Sequence, residues 1–225
     1  MVRATGKPNA LIVGGTSGLG LALGLLLKTT HTVFVTGRHD PQEKELRFEF
    51  LDVTGVTRLR RDLDHLVARL PKIDLLIHAA AFSEKGRTRD FSDDHIESMV
   101  SLQIVAPAML LQRLLEKQGS LPYFIAITST SQITSREYEP LYCAGKAALA
   151  MWAECLALDP MIGKVLVAAP SGMKTRMQKN RPDFDKLLDP KWVAEEILRR
   201  HKETKTKFES WLILRDPPRS TSMHE

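Results

Sequence analysis

The chain has 225 residues, 43% of them hydrophobic and 26% charged, with a formal net charge of +5; that length and composition suit one globular domain with a sizeable core. Basic clusters such as Arg58-Leu-Arg-Arg61 and Arg199-Arg-His-Lys202 fall on predicted helices without interleaved aromatics, so they read as solvated helix faces rather than a nucleic-acid surface. Two cysteines, Cys143 and Cys155, exclude a disulfide framework and point to a reducing, cytoplasmic setting, and neither a signal peptide nor an apolar run of membrane-spanning length is read.

Ala10–Val13 is an apolar run that predicts a buried strand. Four glycines then crowd into the seven residues Gly14–Gly20, and a helix is expected from Ser17, a candidate cap, to Lys28. His31–Thr36 is β-branched and predicts a second strand, and Leu46–Val53 a third. A helix begins at Thr54, with Val56, Leu59, Leu63, Leu66, Val67 and Leu70 at three- and four-residue spacing, and Pro71 stops it. Ile73–Ala81 predicts a fourth strand, and a polar loop over 83–90 leads to a long helix through Ile96, Met99, Ile104, Leu110 and Leu114, bent at Pro107. Tyr123–Ser129 predicts a fifth strand, Pro140–Leu158 a helix and Val165–Ala169 a sixth strand. Asp189-Pro190 caps a further helix through Val193 and Ile197, Trp211–Leu214 closes as a short strand, and the tail from Asp216 reads as frayed. This alternation predicts a single domain over 1–225, a doubly wound parallel sheet of about seven strands with helices on both faces.

Ligands on such a sheet bind at the carboxyl ends of the strands. At the first end, Gly14-x-x-x-Gly18-x-Gly20 between a strand and a helix offers backbone N–H groups and a helix dipole to a pyrophosphate. After the second strand stands Arg38. A free ribose hydroxyl is ordinarily read there by an acid and a 2′-phosphate by a cation, so the expected cofactor is NADP(H) in preference to NAD(H). Tyr142 and Lys146 lie four apart on one helix face, where an ammonium lowers the phenol's pKa and readies it for proton transfer to or from an oxygen. Ser129, at the end of the fifth strand, faces the same crevice and can bond a substrate oxygen. The histidines show no metal-ligand spacing, so no metal is expected. Cys143 reads as helix packing rather than as a nucleophile.

With these residues in place, the chain resembles the short-chain dehydrogenase/reductase family in its single-domain, Rossmann-like form, from about Pro8 to Leu214. The family's Thr-Gly-x-x-x-Gly-x-Gly turn is matched by Gly14, Gly18 and Gly20, with Val13 in place of threonine. Its serine thirteen residues before Tyr-x-x-x-Lys is matched by Ser129, Tyr142 and Lys146. The resemblance implies that Thr16, Ser17 and Leu19 join the glycines around the cofactor, that Asp52-Val53 holds the adenine, and that Ala79 and Ala80 line the same site. It also implies that Pro170-Ser-Gly-Met-Lys-Thr175 lines the nicotinamide, with Ser171 where glycine is usual. Gln103 falls where the family carries a fourth catalytic residue, an asparagine, and His78-Ala-Ala-Ala81 replaces Asn-Asn-Ala-Gly. His78 reads as a cofactor-loop residue or as a structural histidine bonded to backbone.

The implied activity is an NADP-dependent oxidoreductase that moves hydride between nicotinamide and a carbonyl or alcohol substrate, with Tyr142 as general acid/base. The alternative is a catalytically weak NADP-binding sensor or scaffold of the same fold, motivated by Gln103 and the altered 78–81 loop. The resemblance implies a homodimer or homotetramer with no nucleic-acid or membrane partner. Met173, Met177 and Phe184 are candidate pocket residues, Phe184 equally a core residue.

Overall fold

The computed structural model describes residues 6–215; the predicted frayed tail from Asp216 lies outside them. Seven strands form one sheet: β1 (Asn9–Val13), β2 (Thr32–Gly37), β3 (Arg47–Phe50), β4 (Leu75–His78), β5 (Leu121–Ile127), β6 (Ile162–Pro170) and β7 (Phe208–Ile213). Their order is β3-β2-β1-β4-β5-β6-β7, and every neighbouring pair is parallel. Among the described residues six α-helices accompany them: α1 (Gly18–Leu27), α2 (Val56–Arg69), α3 (Asp93–Val100), α4 (Ala106–Gln118), α5 (Pro140–Leu156) and α6 (Pro190–Glu203).

Alternation along the central strands makes two cores. On β1, Leu11 and Val13 face a cluster with α2, α4 and α5, while Ala10 and Ile12 face one with α1 and α6. A strand covered on both sides must be apolar at every position, which is why Ala10–Val13 carries no polar residue. On α2 the expected stripe is buried at Leu59, Leu63, Leu66 and Val67, whereas Val56 is exposed in the first turn.

Several boundaries differ from the sequence reading. Helix α2 starts at Val56 because the Thr54 N–H and hydroxyl both donate to Asp52 Oδ1, at 3.0 and 2.6 Å, and hold the chain in a local turn. Strand β4 stops at His78, and β6 and β7 begin earlier than their apolar runs show, because parallel pairing takes in Ile162 and Lys164 of β6 and Phe208 and Glu209 of β7. The long helix is interrupted ahead of Pro107, by a π-helical turn over Ser101–Val105, and Pro107 sits in the first turn of α4. Proline has no N–H to return to the Gln103 carbonyl, so the helix widens over the preceding residues. The continuous stretch Asp93–Gln118 is, against the sequence reading, long and apolar enough to cross a membrane by length and composition. Half of its apolar window is buried, however, and Leu102, Leu110, Leu111 and Leu114 pack in the core.

Register brings the strand ends level: Val13 pairs with both Thr36 and His78, and His78 with Ala126. The loops that follow them therefore open on one rim.

Candidate active site

A cavity of about 340 Å³ lies on that rim. It takes in the turn from Gly14 to Gly20, Arg38, Asp52-Val53, Ala79-Ala80, Tyr142, Lys146 and Thr175, which are most of the residues singled out from sequence. It also takes in Thr54, Phe82, Ser98, Leu102 and Arg176, which no motif marked. Met173 and Met177 line it, whereas Phe184 does not and is half-buried in a short 3-10 turn. Several expected residues are outside its lining: Pro170 ends β6 in the core, Ser171, Gly172 and Lys174 of the segment after it are not in the lining, and Ser129 and Gln103 are buried.

The turn is built for an anion. Gly14 has φ +79° and Gly18 φ +52°, conformations open to glycine. Gly14 N and Gly15 N both donate to Thr36 O at 3.0 Å, so these two groups hold β1 to β2 rather than await a ligand. The helix end remains: Ser17 sits at the cap position, but against expectation its side chain makes no capping bond, and the first turn of α1 has no acid. The opening N–H groups of α1 therefore keep their capacity and the positive dipole end is uncompensated. A Cβ on Gly18 would meet Thr175 Cγ2 at 3.3 Å, so Thr175 closes the other side of this cradle. Arg38 is exposed at the rim and, among the described residues, makes no hydrogen bond or ion pair. Asp40, the nearby acid, accepts from Gln42 N at 2.7 Å within its own loop. The cavity's shape and donors fit a dinucleotide.

At the opposite end of the cavity, α5 presents Tyr142 and Lys146, with the Lys146 Nζ 5.6 Å from the Tyr142 ring centroid. Lys146 is 1% exposed and donates to Ile127 O at 3.0 Å. Burial pulls its pKa down to about 7. Burial also pushes the Tyr142 phenol up to about 12, against the smaller downward pull of the Ser129 hydroxyl. The expected lowering of Tyr142 by Lys146 is therefore not present: the loss of water outweighs the downward pulls, which come from Ser129 and Arg136.

Ser129 Oγ donates to Ser131 Oγ at 3.3 Å, and Arg136 Nε donates to Ser131 Oγ at 2.8 Å. Neither partner was foreseen; the hydroxyl run Thr128-Ser-Thr-Ser131 was the available signal. His78 is fully buried, with Nε2 3.0 Å from Leu102 O. Because a carbonyl can only accept, Nε2 carries the proton, and the ring is a backbone-bonded histidine, one of the two readings made from sequence. Gln103 is 0% exposed, and neither polar atom of its amide has a hydrogen-bond partner among the described residues.

The short chain dehydrogenase family profile matches residues 8–186. The oxidoreductase claN of Passalora fulva is 29% identical over 192 residues, covering 76% of this chain and 85% of that protein. Among solved structures, a short-chain dehydrogenase from Streptomyces avermitilis superposes with a TM-score of 0.78 at 22% identity, covering 96% of this chain and 90% of the other. An alcohol dehydrogenase from the archaeon Thermococcus sibiricus, complexed with 5-hydroxy-NADP, superposes with a TM-score of 0.79 at 16% identity, covering 96% and 99%. At such identities the superpositions speak to the fold.

Proposed function

Since the chain belongs to the short-chain dehydrogenase family, we propose that it is an oxidoreductase that uses NADP(H) to interconvert a carbonyl and an alcohol. The observation that carries this reading is that one cavity contains the glycine turn, Arg38, Tyr142 and Lys146 together. The solved relative bound to 5-hydroxy-NADP supports the nicotinamide cofactor, and the free guanidinium of Arg38, with Asp40 turned to its own loop, supports the phosphorylated form.

Bound nicotinamide supplies the hydride. The α1 N-terminus and the turn hold the pyrophosphate, Arg38 the 2′-phosphate, and Asp52-Val53 with Ala79-Ala80 the adenine side. Met173 and Thr175, from the segment after β6, flank the nicotinamide. With its pKa near 12, Tyr142 holds its proton throughout the neutral range and delivers it to the carbonyl oxygen. Ser129 turns its hydroxyl from Ser131 to that same oxygen and stabilises the charge that develops there. Lys146 spends one N–H on Ile127 O and offers the others to the ribose. Gln103, buried behind α5, is the fourth member of this set.

The test is NADPH oxidation by purified protein across ketones, aldehydes and quinones. Tyr142→Phe should lower turnover by roughly a hundredfold or more while retaining NADPH binding by fluorescence. Absence of oxidation across the panel would overturn the assignment. The unpartnered Gln103 amide favours a second reading, a sensor or scaffold with weak turnover; tight NADPH binding without reduction of any carbonyl would select it. Exposed Val100 on α3, Met151 on α5 and Leu158 just past α5 support assembly into homodimers or homotetramers through these helices, in a reducing, cytoplasmic compartment consistent with free Cys143 and Cys155.

A further inference from the structure

Ser131 and Arg136 have no part in the reaction just described, yet they sit one and two hydrogen bonds from Ser129. Arg136 also forms part of a second cavity, about 450 Å³, whose walls come from three separate segments. Lys85 stands on the loop after β4, Arg136, Glu137, Tyr138 and Glu139 on the loop before α5, and Arg181 on the segment after β6. The first two walls are fastened together. Gly86 N donates to Tyr138 O at 2.9 Å, Arg87 pairs with Glu137 at 2.6 Å, and the Arg87 guanidinium lies 5.7 Å from the Tyr138 ring centroid.

The charges in this cavity are unevenly committed. Glu137 is taken by Arg87. Arg181 spends its fork on Asp183, at 2.8 and 3.0 Å, and Arg215 holds the same carboxylate at 3.0 Å. Glu139 stands 3.6 Å from Arg136 Nε, too far for a hydrogen bond. What is left without a hydrogen bond, among the described residues, is two cations against one anion: the two Nη groups of Arg136 and the ammonium of Lys85, with the Glu139 carboxylate ion-paired to Arg136. Arg136 is gripped through Nε by the buried hydroxyl of Ser131 and keeps its terminal amino groups for something else. A guanidinium fixed in this way is suited to a carboxylate or a phosphate, since its planar donors match two oxygens at once.

We propose that Arg136, assisted by Lys85, recognises an anionic group on the substrate. Resting on the oxidoreductase reading, this makes the substrate class a carbonyl compound that carries a carboxylate or phosphate a few bonds from the reacting carbon. The link to the reacting end is the chain of contacts: Arg136 is tied to Ser129 through a single intervening hydroxyl, that of Ser131, so the second cavity lies beside the reacting end of the first. Glu139 is the internal counter-ion that the incoming anion displaces.

The test reads binding, so that it does not depend on turnover. Protein saturated with NADP⁺, which cannot reduce a ketone, is titrated by calorimetry with levulinate and methyl levulinate, and with dihydroxyacetone phosphate and dihydroxyacetone. One anion is expected to bind at least tenfold tighter than its neutral counterpart, and the pair that shows this tells carboxylate from phosphate. Arg136→Met should shrink that ratio at least fivefold, and Arg136→Lys, charged but without the fork, should fall between. Arg136→Gln, whose amide can still donate toward Ser131, should lose the preference too and serves if the methionine variant does not fold. Ratios near one in the unaltered protein, or ratios that survive Arg136→Met and Arg136→Gln, would overturn the proposal. Failure to reduce any carbonyl with NADPH would instead overturn the oxidoreductase reading and leave the anion site standing.

Discussion

The side chain of Gln103 lies directly against the backbone of Gly145: a Cβ built at position 145 would stand 2.9 Å from Gln103 Cδ and 3.0 Å from its Nε2. The π-helical turn carries Gln103 to α5, and the missing side chain at 145, one residue before Lys146, makes room for it. The contact joins the interrupted helix to the helix that bears the tyrosine and lysine.

Gly145→Ala should therefore cost about 1–3 kcal/mol, the usual range for overpacking. Gln103→Asn removes one methylene and should relieve the crowding, so the two changes should couple by more than about 0.5 kcal/mol in a double-mutant cycle. Urea unfolding of the four proteins measures this. Strict additivity would show that the contact is not the cause.

The two left-handed glycines of the turn should respond differently. A Cβ on Gly14 would stand 2.5 Å from Ala80 Cα and 2.6 Å from Ala80 N, backbone that cannot move without disturbing the β1–β4 join. A Cβ on Gly18 would meet only Thr175 Cγ2, at 3.3 Å. Gly14→Val is thus expected to compromise folding itself, seen as lost soluble yield or a lowered Tm. Gly18→Ala should stay folded with a penalty of about 1–2 kcal/mol for its left-handed conformation and bind NADPH at least tenfold more weakly. A soluble Gly14→Val protein of unchanged Tm would contradict the close approach to Ala80.

Arg38 offers the direct test of cofactor choice. Arg38→Glu places a carboxylate where the 2′-phosphate is expected, turning attraction into repulsion. The Kd for NADPH should rise tenfold or more, with NADH less affected, both read by fluorescence titration. Equal effects on the two cofactors would remove Arg38 from the 2′-phosphate site.

Two buried bases should make stability depend on pH. Burial, followed by the Lys146 charge, lowers His78 to about 3, against a smaller upward effect of its bond to Leu102 O. An unfolded chain protonates His78 below about 6.5, so between pH 6.5 and 3 the unfolded state binds more protons and stability falls as pH falls. Lys146, lowered to about 7 by burial, acts in the same sense between about 10.5 and 7. Tyr142 acts in the opposite sense above pH 10, where the unfolded phenol ionises and the folded one holds its proton to about 12. Urea midpoints should thus decline from pH 6.5 toward 3, and His78→Asn, which does not titrate, should flatten that decline. An unchanged slope in the variant would assign the acid sensitivity to other groups.

Much of this molecule is legible in one dimension. The sequence alone determined the strand–helix alternation and the parallel sheet, because each buried strand is a short apolar run and each helix has a stripe on a 3.6-residue period. It also determined the glycine turn, Arg38 after β2, and the spacing of Ser129, Tyr142 and Lys146, since these lie at fixed offsets from element ends. Contacts between distant segments were decided only in three dimensions. Desolvation by the folded core, not the nearby lysine, sets the Tyr142 proton affinity. Gly14 is required by the backbone of Ala80 in the loop after β4. Arg136 keeps its amino groups from hydrogen bonds because Ser131 holds its Nε and Arg87 has engaged Glu137, which leaves Glu139 as its ion pair. Periodicity and spacing report local geometry; proton affinity, close approach and unspent charge arise from neighbours that only the tertiary fold brings together.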